Sequence, residues 1–302
     1  MRFTDEQGVP IEPIDVAPIR ARAEHALSMV LPALDRAGIP VLPVKGIITG
    51  RWLYRSAYER PMSDVDVRAR RCDLARIRAV CERNSWRITN WSSWYQNVTF
   101  EVAGASIDVE STVGAPGMCS LTIESMLARA RRSSELLSVE HWRPETHDHA
   151  LLLAMNVLKD QVGRSFPWAI EDLVRVATVE DFAPAIMADR AWRTGTASAL
   201  RGVARWLATA KGSAPWSTVA ERIGEPPRPA YARRVERALS DLRDPASGAL
   251  RTAFARSSND LISQRILSFS ALALWLPTTL IEREALRASE RHEGVEQRTI
   301  RL

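Results

Sequence analysis

The feature that most constrains this chain is a change of hydrophobic period. Up to about residue 120, short runs alternating at period two are interleaved with helical segments; from about Leu121 onward the pattern is almost wholly helical. Such an order predicts an α+β unit built on a small mixed sheet with flanking helices, followed by an α-helical domain. The join is placed at 135/136, which gives a first domain of 1–135 and a second of 136–302. Helical spacing of Val16, Ile19, Ala23, Ala26, Leu27, Val30, Leu31 and Leu34 predicts an entry helix over 15–37, with Gly38 as its C-terminal cap. A short strand over 39–44, a turn at Lys45-Gly46 and a helix to about Tyr54 follow. Alternation then predicts a strand over 63–68, a helix over 71–84, and a hairpin of 97–102 with 105–110 around Gly104. Beyond these, helices are expected at 121–131, 146–160, 167–178, 184–209, 229–243, 248–256 and 259–288.

Within that frame the carboxylates carry the chemistry. In Ser63–Arg68, Val65 and Val67 point one way and Asp64 and Asp66 the other. Aspartate is a poor strand former, so this face is either solvated or binds cations. A second alternating run sets Asp108 on one face with Ser106 and Glu110. Three converging carboxylates repel one another unless a divalent cation compensates them. Two Mg²⁺ ions, with Mn²⁺ as the alternative, held by Asp64, Asp66 and Asp108 are apparatus suited to in-line displacement at phosphorus, with an NTP as co-substrate. Asp108 is also placed to take the proton of the acceptor hydroxyl.

Lys45-Gly46 is either an ordinary turn or a phosphate-binding one, in which glycine admits close backbone approach and the following helix start offers amides. Lysine occurs only at 45, 159 and 211, all other cationic side chains being arginine. Arg60 suits either the triphosphate or an ion pair with Asp66; Ser63 either offers its hydroxyl to phosphate or opens the strand. Lys159 and Asp172 either line the cleft from the helical domain or form an interhelical ion pair. His147 and His149, two apart, do not share a helix face and make no metal site. Asp148 reads as a first-turn charge or cap.

Residues 41–70, VLPVKGIITGRWLYRSAYERPMSDVDVRAR, resemble the signature of the bacterial nucleotidyltransferase family NTP_transf_5, within the polymerase-β-like nucleotidyltransferase superfamily. The matching positions are Lys45, Gly46, Leu53, Tyr54, Arg60, Pro61, Met62, Asp64 and Asp66, with Ile107-Asp108-Val109-Glu110 and the stretch from His149 to Lys159, then Trp168 to Leu173, as further matches. The resemblance implies an enzyme that moves a nucleoside monophosphate, AMP for choice, to a hydroxyl of a small molecule, peptide or protein, with Asp108 as third carboxylate. RNA as acceptor and a non-catalytic nucleotide-binding protein are the competing readings. Glu110 and Asn156 stand where the family often has histidines.

The net charge of +5 favours polyanionic ligands only mildly. No apolar run is long enough to span a membrane and the first residues, MRFTDEQG, lack a signal core, so a cytoplasmic protein with no membrane partner is expected. Cys72, Cys81 and Cys119 show no disulfide or zinc pattern and read as small buried apolar residues.

Overall fold

The computed structural model describes residues 3–4, 10–11, 16–92, 95–160, 167–240 and 257–270. After two short paired strands, β1 (Phe3–Thr4) and β2 (Pro10–Ile11), comes the expected entry helix α1 (Val16–Arg36). Its stripe of Ala23, Ala26, Leu27, Val30 and Leu34 is buried, and Gly38, at φ 64°, closes it. Strand β3 (Val41–Val44) accommodates Pro43 because it is an edge strand, where a missing amide donor costs no ladder bond. Then follow α2 (Gly46–Trp52), β4 (Val65–Ala69), α3 (Leu74–Arg83), β5 (Arg87–Ser92), β6 (Asn97–Val102) and β7 (Ala105–Glu110). The sheet order is β3-β4-β7-β6-β5, mixed in direction: β4 and β7 run parallel and the other neighbours antiparallel. The fold is α+β, as the change of period predicts.

Alternation gives the sheet two different faces. Val65, Val67, Val98, Phe100, Ile107 and Val109 join α1 and α3 in one core. On the other face, Val44 lies opposite Asp66 and Leu42 opposite Arg68 across β3–β4, and Leu42 and Val44 belong to the core of the helical half. The carboxylate-bearing face is therefore turned toward the helices.

That half comprises α4 (Ile123–Arg129), a small hairpin β8 (Arg131–Ser133) and β9 (His141–Arg143), then α5 (Thr146–Asp160), α6 (Pro167–Val176), α7 (Pro184–Arg193), α8 (Ala197–Lys211), α9 (Ala214–Ile223) and α10 (Pro229–Ser240). Three features differ from the sequence reading. The hairpin, inside which position 135 falls, has no apolar alternation in Arg131–Ser133 to announce it. The single helix expected over 184–209 is two, because Gly195, at φ 67°, breaks it at a point where an added Cβ would sit 2.5 Å from Asn259 Oδ1. And α9 occupies a stretch assigned to no helix. The expected helix 248–256 lies outside the described residues; of 259–288, the stretch 262–270 is helical and 271–288 lies outside them. Among the described residues no helix is long and apolar enough to cross a membrane. Cys72 is exposed, against expectation, while Cys81 is buried.

Candidate active site

The site grows from the parallel pairing of β4 and β7, which sets Asp66 directly beside Asp108 and Arg68 beside Glu110. β4 begins only at Val65, so Asp64 stands exposed in the bend just before the strand rather than within it. Ser63 Oγ donates to Asp64 Oδ1 at 3.0 Å. Asp66 is buried, and the Lys45 ammonium reaches it from across the sheet edge, Nζ to Oδ1 at 2.7 Å. Asp108 is held by its antiparallel neighbour Thr99, whose hydroxyl donates to Oδ1 at 2.9 Å.

These carboxylates are not at ease. Surrounding protein and then the charge of Asp66 hold Asp64 above the usual carboxylate range. Burial, followed by Glu110 and Asp66, pushes Asp108 up to about 6. Glu110 goes the other way: burial alone would raise it, but Arg68 (Nη2 to Oε2, 2.5 Å), Lys159 (Nζ to Oε1, 3.3 Å) and Lys45 together pull it down to about 2. One strand thus carries a carboxyl tuned up and, two residues on, a carboxylate tuned down.

The expected convergence of all three aspartates into a ready metal cage is not what the side chains do. Among the described residues no group of three or more His, Cys, Asp or Glu side chains is assembled closely enough to hold a metal ion. Instead, Ser63, Lys45 and Thr99 each bond one of the aspartates.

Lys45 caps α2 with φ 55° and ψ −138°, and space favours Gly46 there, since an added Cβ would lie a tight 3.1 Å from Met62 Cβ. In the seven-residue α2 the third and fourth amides, Ile48 and Thr49 N–H, both donate to the Lys45 carbonyl, at 3.0 and 2.7 Å. Arg60 pairs with Asp172 instead of Asp66. Its guanidinium forks onto Asp172, Nε to Oδ1 and Nη2 to Oδ2 at 3.0 and 2.8 Å, and also bonds the Pro61 carbonyl. Burial works against the Arg60 charge, but Asp172 outweighs it and raises the pKa. Asp172 is fully buried rather than lining a cleft, and it accepts a further bond from the Tyr54 hydroxyl at 2.8 Å. Lys159 joins the site indirectly, through Glu110. Asp148 is no cap: fully buried, it binds Arg129 and Arg190, while Glu145 accepts from its amide.

Two residues that shape the site went unassigned in the sequence. Arg20, 1% exposed, grips the carbonyls of Ile47 (2.8 Å) and Ala57 (3.2 Å) from α1, and Gly50 makes way for it, since a Cβ there would lie 2.5 Å from Arg20 Nη1. An arginine at the spacing 16, 20, 23, 27, in line with α1's apolar stripe, was the legible signal. His149 accepts the Lys45 amide at Nε2, 3.1 Å away.

The mixed sheet thus pairs aspartates on adjacent strands, with a lysine turn beside them. The family model described as uncharacterised nucleotidyltransferase, NTP_transf_5, matches residues 19–209, more than half of the chain: the chain belongs to this family and is a nucleotidyltransferase. No curated protein matches it. Among solved structures, the solution structure of the antibiotic-resistance factor ANT(2″)-Ia is similar at 13% identity and a TM-score of 0.40, over 55% of this chain and 85% of that one. An overlap of that extent carries no argument about chemistry.

Proposed function

We propose that the protein moves a nucleoside monophosphate, AMP from ATP, onto a hydroxyl of a small molecule, peptide or protein acceptor, releasing pyrophosphate. The observation supporting this reading is the side-by-side register of Asp66 and Asp108 on parallel strands, with Asp64 at the head of β4 and Lys45 on the same face. An all-oxygen donor set in which burial, and then neighbouring carboxylates including Asp66, hold Asp64 and Asp108 up suits a hard divalent cation. Asp64, Asp66 and Asp108 would hold Mg²⁺, two ions in the full arrangement, or Mn²⁺. Bound there, the cations would neutralise charge on the phosphates and make the acceptor hydroxyl easier to ionise.

The chain's own groups do the rest by position. Lys45 offers its ammonium to the outer phosphates, and Gly46 lets the substrate approach the turn. The acceptor oxygen attacks the α-phosphorus, the bond to the β-phosphate oxygen breaks, and the acceptor's proton passes to Asp108. Since Thr99 occupies Oδ1, Oδ2 takes it. Glu110, fixed between Arg68 and Lys159, adds to burial in holding the Asp108 carboxyl up, which suits a proton acceptor.

The test is purified protein incubated with Mg²⁺, each NTP in turn, and a cell extract, read by pyrophosphate release and by mass spectrometry for an NMP-sized gain. Asp66→Asn should abolish both signals, and Asp108→Asn should keep much of the nucleotide affinity while losing turnover. Equal NTP affinity in EDTA and in Mg²⁺ would sink the metal-dependent reading.

A further inference from the structure

Lys45 adopts a backbone conformation that L-residues rarely occupy, φ 55° with ψ −138°, yet it is the residue whose ammonium reaches Asp66. Such a conformation persists only where its surroundings over-determine it, and the bonds around it show what does so. Its carbonyl is taken by the Ile48 and Thr49 amides of its own helix. Its amide, which precedes the helix and has no partner within it, is taken by a residue 104 positions away, His149 in α5.

His149 is fully buried, and its ring stacks on Trp52 at the other end of α2, centroids 5.7 Å apart and planes 13° from parallel. One imidazole thus touches both ends of the seven-residue helix that begins at the lysine turn. Because Nε2 accepts from an amide, it carries no proton; the ring is neutral, with its hydrogen on Nδ1. Burial and the nearby Arg143 and Arg68 charges favour that neutral form, drawing the group down to about 3. Nδ1 finds no hydrogen-bond partner among the described residues. Leaving a buried donor unmade is costly, so the Lys45 bond at Nε2 is not incidental to a well-satisfied core histidine.

We propose that His149 is a positioning residue of the nucleotide site, its Nε2 holding the Lys45 backbone in the one conformation that presents the ammonium to the carboxylate face. The phosphate-binding turn of the sheet half is then completed by the helical half. This rests on the reading of Lys45 as a phosphate contact, and the experiment separates the two.

His149→Phe keeps an aromatic ring against Trp52 and removes the acceptor; His149→Gln returns an acceptor oxygen at a similar reach. The Phe variant should bind ATP about tenfold more weakly with AMP affinity changed by less than about twofold, and the Gln variant should recover most of the loss. The Lys45 amide should exchange hydrogen faster in the Phe variant than in wild type or the Gln variant. Lys45→Ala serves as the reference. If it leaves the ATP-to-AMP affinity ratio unchanged, the phosphate role of Lys45 falls. If it lowers the ratio while His149→Phe does not, the positioning role alone falls. Should the Phe variant not fold, the imidazole ¹⁵N spectrum of wild type decides: a bare Nε2 with hydrogen on Nδ1 supports the inference, and a protonated Nε2 overturns it.

Discussion

The aspartates of the helical half and those of the sheet are the same residue in opposite surroundings. Asp148 and Asp172 are fully buried and clasped by guanidinium forks, from Arg129 and Arg190 in one case and Arg60 in the other. Asp66 and Asp108 each receive a single side-chain donor among the described residues and stand beside one another on adjacent strands. The first arrangement spends its charge on holding the structure together. The second leaves negative potential unbalanced, a state that folding alone gives no reason to keep and that a bound cation would relieve.

The largest expected effect breaks the comparison from the structural side. Asp172→Asn keeps the side chain's size but strands Arg60, whose side chain is 13% exposed, without its counter-charge. Denaturant unfolding should show a loss of about 3–5 kcal/mol, the usual consequence of removing one partner from a buried ion pair. A loss below about 1 kcal/mol would mean that the clasped aspartates are no more structural than the crowded ones.

From the other side, Asp108→Asn should stabilise the empty protein at pH 7, by about 1–2 kcal/mol, while abolishing turnover. The sign follows from Asp108 lying at about 6 in the fold against an ordinary 3.8. A raised carboxyl favours the fold while protonated, below its unfolded pKa, and that contribution is lost as pH rises through the folded value. The gap between variant and wild type should therefore close as pH falls from 6 toward 4, which thermal unfolding across that range would follow. A variant less stable than wild type at pH 7 would show that Asp108 is a structural aspartate after all.

The smallest effect sharpens the edge of the comparison. Ser63 and Asp64 are both exposed and bonded to each other, so Ser63→Ala should change stability by no more than about 0.5 kcal/mol. A larger melting-temperature shift than that corresponds to would place the rim of the carboxylate face among the built contacts rather than the open ones.

Much of this contrast was legible in the sequence on one side only. Aspartates in a valine-rich alternating run announce a polar sheet face, and Gly104, at φ 75° beside Ala103 at φ 50°, announces the β6–β7 turn. What no pattern disclosed was the partner strand: that β4 pairs parallel with β7 in the register that sets Asp66 against Asp108 is decided by packing across the whole sheet. The Arg60–Asp172 fork spans 112 residues and the Lys45–His149 bond 104, and local periodicity holds no information about either. Arg60 read as a phosphate ligand because guanidinium suits phosphate; a buried carboxylate satisfies the same geometry. The α7–α8 break was hidden because apolar spacing continues through it, with only Gly195 to mark the corner.

The long reach of the Arg60–Asp172 fork has a bearing on how the protein is born. At a synthesis rate of about 5–20 residues per second, the ribosome needs about 6–20 seconds after making Arg60 to deliver an aspartate 112 residues downstream, and longer still for that aspartate to clear the exit tunnel. The sheet can assemble in that interval, since its strands end at Glu110. Through it, the nascent chain carries an unneutralised guanidinium near the carboxylate face, and Leu42 and Val44 lack the helices that will cover them.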